Sequence, residues 1–278
     1  MNNRFGLVIA SGAIDNYARH RAMLARLPAP DAVICADGGL RHVKPLGVAP
    51  DLITGDFDSV CGALLDEYRD GGVPIERLPV EKDFTDTETA VERAVGRGCG
   101  AVLILGALGS RADHVYANLQ LLFKYALRGV RVALADANNA AAVLAPGRAM
   151  KIDKLRPIAS LLGLPPPAEP LDAPERLITA EPPVTPALPP DFPEPTLRDQ
   201  SPQDAAVLSG VTPSAGPKLS IFPVGGEARG VSAGGVKYRL CGASLEACYT
   251  SGVSNEFISR EATVEVAEGA VFVMVCDD

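Results

Sequence analysis

Six aspartates fall at the ends of strand-like runs or in the loops that follow them. Asp37 closes AVICADGG, Asp56 and Asp58 follow the run in PDLITGDFDS, Asp83 and Asp86 lie in KDFTDTE, and Asp113 lies in GSRADH. Alone, any of these carboxylates reads as a turn residue or a helix cap. Caps, however, do not require a D-x-D pair at one strand tip and further acids at the next ones. Like charges held this close repel unless a cation joins them. Mg²⁺ is the natural cation, because it takes oxygen ligands and works with one or two carboxylates plus the phosphates of a substrate.

The neighbours of these acids suit phosphate chemistry. Gly38 and Gly39 let backbone approach a ligand with no Cβ in the way, and Gly106 and Gly109 do the same beside Ser110 and Arg111. A guanidinium such as that of Arg111 grips phosphate as a planar fork, and a helix starting near Asp113 offers free N–H groups. The chain has no GxxxxGK[ST], and GGEARG reads as a turn between strands. Three histidines, His20, His42 and His114, give poor support for a zinc site. Only His114 sits in a motif, where capping and nucleotide contact are the alternatives. Ser254 and Asn255, in TSGVSNEF, read as a hydrogen-bonded turn, and Phe257 beside them as a core residue.

The elements that must position these residues alternate between strand and helix. FGLVIAS, DAVICADGG, DLITGDFDS, IERLPV, AVLILGALG and VRVALADANN read as strands. Helical segments lie between them: DNYARHRAMLARL, a short LRHVKPLG interrupted by Pro45, residues 61–71, TDTETAVERAVGRG with Thr85 or Asp86 as cap, and DHVYANLQLLFKYALRG ended by Gly129. Repeated strand–helix pairs imply a parallel sheet covered on both faces, with a ligand crevice at the carboxyl ends of its strands. Near residue 138 the character changes. Residues 140–152 read as one strand entering a second domain. Residues 153–217 hold most of the chain's 24 prolines and read as an extended, partly polyproline insertion or linker. KLSIFPV, GVKYRL, ATVEVAEG and AVFVMVC then form an antiparallel sheet, a sandwich or roll. The expected fold is a Rossmann-like α/β domain over residues 1–137, followed by a β-sandwich over 138–278 that the insertion interrupts.

Bulk properties narrow the function further. A chain of 278 residues, 47% of them apolar, has room for two domains and a sizeable core. A net charge of −8 argues against nucleic acid as partner and suits metal ions or a cationic small molecule. Six scattered cysteines without a CxxC pair read as free thiols in a reducing cytosol. The opening MNNRFGLVIASG reads as a strand rather than a leader, and no window is long enough to span a bilayer. The expectation is a soluble cytoplasmic protein with no membrane partner.

ADGG, PDLITGDFDS, KDFTDTE, GSRADHVYANL and GVSNEF occur in the order in which they stand in the thiamine pyrophosphokinase family, which the chain resembles over residues 5–152 and 217–278. The proline-rich stretch lies outside the resemblance. The resemblance implies transfer of the pyrophosphoryl group of ATP to the hydroxyl of thiamine, giving thiamine diphosphate and AMP. It implies Mg²⁺ held by Asp37, Asp56, Asp58 and Asp86, and catalytic roles for Asp56, Asp58, Asp83 and Asp86, with Asp86 or Asp83 as proton acceptor. ATP would be held by Gly38, Gly39, Lys82, Thr85, Ser110, Arg111, Asp113, His114 and Asn118. Thiamine would meet Ser254, Asn255 and Phe257, whose ring can stack on a cationic thiazolium. The family architecture also implies a homodimer whose active sites lie between one subunit's α/β domain and its partner's sandwich. Transfer to another alcohol, and a sensor that binds thiamine or nucleotide without turnover, are the rival readings.

Overall fold

The computed structural model describes residues 4–58, 60–81, 83–109, 111–165 and 216–277. Strands β1 (Phe5–Ile9), β2 (Ala32–Ala36), β3 (Leu52–Gly55), β4 (Ile75–Arg77), β5 (Ala101–Leu105) and β6 (Arg131–Ala135) pair in parallel in the order β4-β3-β2-β1-β5-β6. Side chains alternate between the faces, as the two-residue period of a strand requires. Leu7, Ile9, Leu103 and Leu105 pack with Leu40, Val43 and Leu65 on one face. Val8, Ile34, Val102 and Ile104 pack with Ala90, Val91, Leu122 and Tyr125 on the other. Helices α1 (Tyr17–Leu24), α2 (Leu40–Leu46) and α3 (Gly62–Asp70) therefore cover the first face, and α4 (Asp86–Gly96) and α5 (Ala112–Leu127) the second.

Strand order reverses between β1 and β5, which puts the crevice of an open α/β sheet at their carboxyl ends. The loops leaving these two strands touch. The Gly12 N–H donates to the Gly106 carbonyl at 2.8 Å, and a Cβ on Gly106 would stand 2.5 Å from the Ala10 carbonyl oxygen. Gly106 has φ 66°, so both its conformation and its surroundings exclude a side chain.

The sheet then continues antiparallel. β7 (Asn139–Leu144) pairs with β6, and β8 (Arg148–Asp153) follows after a turn at Gly147. Residues 140–152 are thus two strands rather than one, because Gly147 at φ 66° reverses the chain between them. β9 (Lys218–Gly234) is 17 residues long. Its first part pairs with β13 (Glu268–Cys276) and with the two-residue β11 (Asn255–Glu256); its last part pairs with β10 (Leu240–Leu245) and β12 (Glu261–Val266). The β9–β13 register shifts between Val224 and Arg229, where Gly225 and Gly226 have φ 74° and 139°. That irregularity lets one strand leave the first sheet and serve the second, in which β12 also pairs with β8. Leu219, Ile221, Val271 and Val273 of one sheet and Val231, Val264 and Val266 of the other join a single apolar core.

Two expectations change here. Of GVKYRL, only Val236 makes a bridge, to Phe257, and β10 begins at Leu240. The proline-rich stretch opens with a helix, α6 (Pro157–Leu162), which buries Ile158, Ala159, Leu161 and Leu162 and stops at Gly163 with φ 58°. Pro157 lies in the first turn, where a missing N–H costs nothing. The body of that stretch, residues 166–215, lies outside the described residues. Among the described residues, no helix is long and apolar enough to cross a membrane.

Candidate functional site

Asp37, Asp56 and Asp58 meet at the carboxyl ends of β2 and β3. One oxygen from each carboxylate lies within 4.8 Å of the other two. Strand register causes this. Ala36 pairs with Thr54, so the next residues, Asp37 and Gly55, leave their strands side by side. Gly55 must be glycine, since a Cβ there would stand 2.9 Å from both Cα and Cβ of Asp37. Asp37 opens a 3₁₀ turn, Asp37–Gly39, at φ 45°, and is buried. Gly39 allows that turn to press on β1, because a Cβ would reach 2.2 Å from the Ile9 carbonyl oxygen. The missing side chain at Gly39 thus serves the packing of the turn, and Gly38 is buried with it.

Asp56 is half-buried and Asp58 exposed, so the cluster has a closed side and an open one. Phe57 between them has φ 64°. The Asp58 N–H donates to Asp56 Oδ1 at 3.3 Å, which folds the D-F-D turn on itself. Arg77, at the end of β4, braces it: Nη1 donates to the Asp56 carbonyl at 3.0 Å, and the guanidinium sits 5.1 Å from the Phe57 ring centroid. Sequence reading missed Arg77; its only signal is a basic residue ending the strand beside the D-x-D.

The β4–α4 loop reaches the same edge because β4 neighbours β3. Thr85 caps α4, its hydroxyl oxygen accepting from the Glu88 N–H at 3.1 Å. Asp86 is the first residue of α4 and half-buried, and Asp83 is exposed. Neither belongs to the three-carboxylate set, so the structure gathers three of the four expected metal ligands. Lys82 and Ser110 lie outside the described residues.

At the β5–α5 loop Arg111 and Asp113 face each other, Nη2 to Oδ2 at 2.5 Å and Nε to Oδ1 at 3.1 Å. That guanidinium, helped by the His114 N–H, pulls the Asp113 carboxyl down to about 2. Arg111, Asp113 and His114 are all exposed. Asn118 is buried, and its amide donates to the Ala107 carbonyl at 2.9 Å, so it fixes the loop from beneath.

A second bracing group was also absent from the sequence reading. Buried His42 has Nε2 2.9 Å from the Gly12 carbonyl and Nδ1 2.7 Å from the Tyr17 hydroxyl. A carbonyl only accepts, so Nε2 carries the proton and Nδ1 accepts from Tyr17. Arg41 Nε, 3.4 Å from Nε2, then meets a donor and makes no bond there. Burial lowers the pKa of His42 and keeps it neutral. It ties the loop after β1 to α2.

The residues expected at the thiamine end stand elsewhere, on the antiparallel part. Asn255 is buried and clamps Tyr238 from both sides: its amide nitrogen donates to the Tyr238 carbonyl at 2.6 Å, and its oxygen accepts the Tyr238 N–H at 2.9 Å. Ser254 has φ 55°, and its N–H donates to Ser220 Oγ at 3.0 Å. Phe257 is buried in the core, where its ring has apolar neighbours rather than an open face. The exposed rings nearby are Tyr238 and Tyr249.

Fold and site together define an α/β protein with a metal-competent acid cluster at the strand tips of a parallel sheet, continued by antiparallel strands. The model of the thiamin pyrophosphokinase catalytic domain matches residues 26–134, and that of the thiamin pyrophosphokinase vitamin B1 binding domain matches residues 209–271. The chain belongs to the thiamin pyrophosphokinase family. Thiamine pyrophosphokinase of Bacillus subtilis (strain 168) is 30% identical over 114 residues, 41% of this chain and 53% of that protein. Thiamine pyrophosphokinase 1 of Oryza sativa subsp. japonica is 28% identical over 122 residues, 36% of this chain and 46% of that protein. The chain spans about half the length of the curated relatives it matches. Among solved structures, the Bacillus subtilis thiamine pyrophosphokinase superposes with TM-score 0.66 at 18% identity, covering 99% of this chain and 100% of that one. The Candida albicans thiamin pyrophosphokinase gives 0.64 at 15%, covering 99% and 90%. At these identities the structures speak for the fold.

Proposed function

We propose that this protein transfers the pyrophosphoryl group of ATP to the hydroxyl of thiamine, releasing AMP and thiamine diphosphate. The observation that carries the reading is the convergence of Asp37, Asp56 and Asp58 within 4.8 Å, on a chain of this family. Three hard oxygen donors with one open side fit Mg²⁺. Asp37, Asp56 and Asp58 would hold it, with Asp86 reaching from α4; when bound, it would draw negative charge from the phosphate oxygens. The thiamine hydroxyl oxygen forms a bond to the β-phosphorus as the bond from that phosphorus to the α–β bridging oxygen breaks. AMP leaves in line, and Asp86 or Asp83 accepts the hydroxyl proton. There is little covalent work for the protein, which contributes position and electrostatics. Gly38, Gly39, Thr85, Arg111, Asp113, His114 and Asn118 are assigned to the nucleotide, as are Lys82 and Ser110. Ser254, Asn255 and Phe257 are assigned to the thiamine end. Asn118, Asn255 and Phe257 would act by holding loops in place, given the bonds and burial described above. The reading includes a cytoplasmic homodimer with shared sites.

The test is incubation with ATP, Mg²⁺ and thiamine, with AMP measured. Asp56→Asn and Asp58→Asn should each lower AMP release by roughly 100-fold or more, with circular dichroism unchanged. Full turnover in either variant removes the metal role. A panel of acceptors, including thiamine analogues and pterin alcohols, separates thiamine from another alcohol. Tight thiamine binding with no AMP from the wild type would instead mark a sensor.

A further inference from the structure

A cleft of about 430 Å³ opens between α1 and α6, beside the β6–β7 turn. None of its lining residues belongs to the four acid-bearing loops that follow β2, β3, β4 and β5. Met23, Leu27, Ala140, Ile158, Ala159 and Val275 give it an apolar lining. Among the described residues, its charged groups are Arg19, Arg26, Lys154 and Arg156, against Asp136 and Asp277. The two acids do not neutralise the four bases. Asp136 already accepts from the N–H groups of Asn138 and Asn139 and from the Asn139 amide. Arg156 is engaged with Asp153 at 3.7 Å. Among the described residues, Arg19, Arg26 and Lys154 make no ion pair, unlike Lys44 with Glu67 and Arg93 with Glu76; Arg148, Lys151 and Arg239 are likewise unpaired, but they do not line this cleft.

Three uncommitted cations around one concavity run against the balance of a chain whose net charge is −8. A concave wall focuses their field and raises the local concentration of anions. Guanidinium forks match the oxygens of a phosphate. The volume is that of an organic-ligand pocket rather than of a bare ion, and the apolar lining asks for a ring or chain beside the charge. We propose that this cleft is a second small-molecule site, and that it takes a phosphate monoester with an aromatic or other apolar body. The phosphate would meet Arg19, Arg26 and Lys154, and the body would lie against Met23, Leu27 and Ile158. The proposal is independent of the reaction assigned to the acid cluster.

Calorimetric titration of the full chain with 1-naphthyl phosphate tests it, with EDTA present and no nucleotide. One equivalent should bind, at least tenfold more tightly than inorganic phosphate or 1-naphthol. The double variant Arg26→Ala/Lys154→Ala should lose at least tenfold in affinity, Asp56→Asn should lose none, and added salt should weaken binding. Should the double variant fail to fold by circular dichroism, Arg19→Ala alone should still cost about threefold. No binding at millimolar ligand, equal affinity for the whole ligand and either half of it, unchanged affinity in the cleft variants, or loss in Asp56→Asn would each overturn the assignment.

Discussion

Asp37 holds a backbone geometry, φ 45°, that costs a non-glycine residue of order 1–3 kcal/mol, and Phe57 across the cluster holds φ 64°. Both turns aim carboxylates at one point, and Gly55 lets them close. Gly55→Ala forces a Cβ to 2.9 Å from Asp37, and that contact is with Cα and Cβ, which cannot swing aside. The variant should lose about 1–3 kcal/mol in urea unfolding and roughly 100-fold in AMP release, since small misplacements are costly in a site built on positioning. Wild-type turnover in Gly55→Ala would show that the cluster's geometry is not limiting. A second residue-scale consequence concerns charge. Asp113, held at about 2 first by Arg111, should return toward 3.8 in Arg111→Ala, as read by carboxyl-carbon NMR titration. The sign follows from the depressed value: the pair favours the folded state above 3.8, and that contribution disappears as pH falls through about 2. The meeting of Asp37, Asp56 and Asp58 was legible in the sequence, because they stand just past the apolar runs AVICA and LIT. Their braces were not. That Arg77 holds the Asp56 carbonyl, or Asn118 the Ala107 carbonyl, depends on which strands become neighbours, and local pattern does not carry that information.

Helix α4 illustrates how far an element can be read in advance. Thr85 was a candidate cap from its place before DTETAVERAV, and its hydroxyl accepts from the Glu88 N–H. The cap fixes the start of the helix and therefore the position of Asp86, its first residue. Thr85→Ala should cost about 1 kcal/mol in denaturant unfolding, and Thr85→Ser much less. Equal stability of all three proteins would mean that packing alone sets that helix end. α6 was hidden by the opposite logic. Its surroundings are rich in proline, a composition that argues against helix, yet Pro157 stands in the first turn, where the ring is tolerated, and four apolar side chains bury behind it. Position within the element outweighed composition. β11 was missed because two residues have no period to detect; its pairing with Leu219 and Lys218 comes from β9.

Across the whole molecule, β9 sets the decisive distance. Going from β3 to β11 along hydrogen-bonded neighbours crosses β2, β1, β5, β6, β7, β13 and β9. At the spacing of strands in a sheet this is roughly 38 Å along the surface. If Asp56 and the turn around Ser254 handle the same reaction, we propose that the turn comes from a second copy, as a two-fold dimer provides. Exposed apolar residues flank that turn: Tyr238 59%, Tyr249 63%, Val253 56% and Ile258 59%. A partner would cover them. The turn itself is anchored by the Ile221 N–H donating to the Gly252 carbonyl at 2.9 Å, and a Cβ on Gly252 would stand 1.9 Å from the Ile221 carbonyl oxygen. Gly252→Ala should therefore displace the turn and abolish thiamine use while sparing the acid cluster on the same chain. Asp56→Asn does the reverse. Each variant alone should be inactive. Equal amounts unfolded and refolded together form half mixed dimers, each with one intact site of two, and recover about a quarter of wild-type activity. If ion-exchange chromatography, which resolves the one-charge difference of Asp56→Asn, shows mixed dimers and no activity returns, the two ends do not share a substrate, and the role assigned to the turn around Ser254 is wrong.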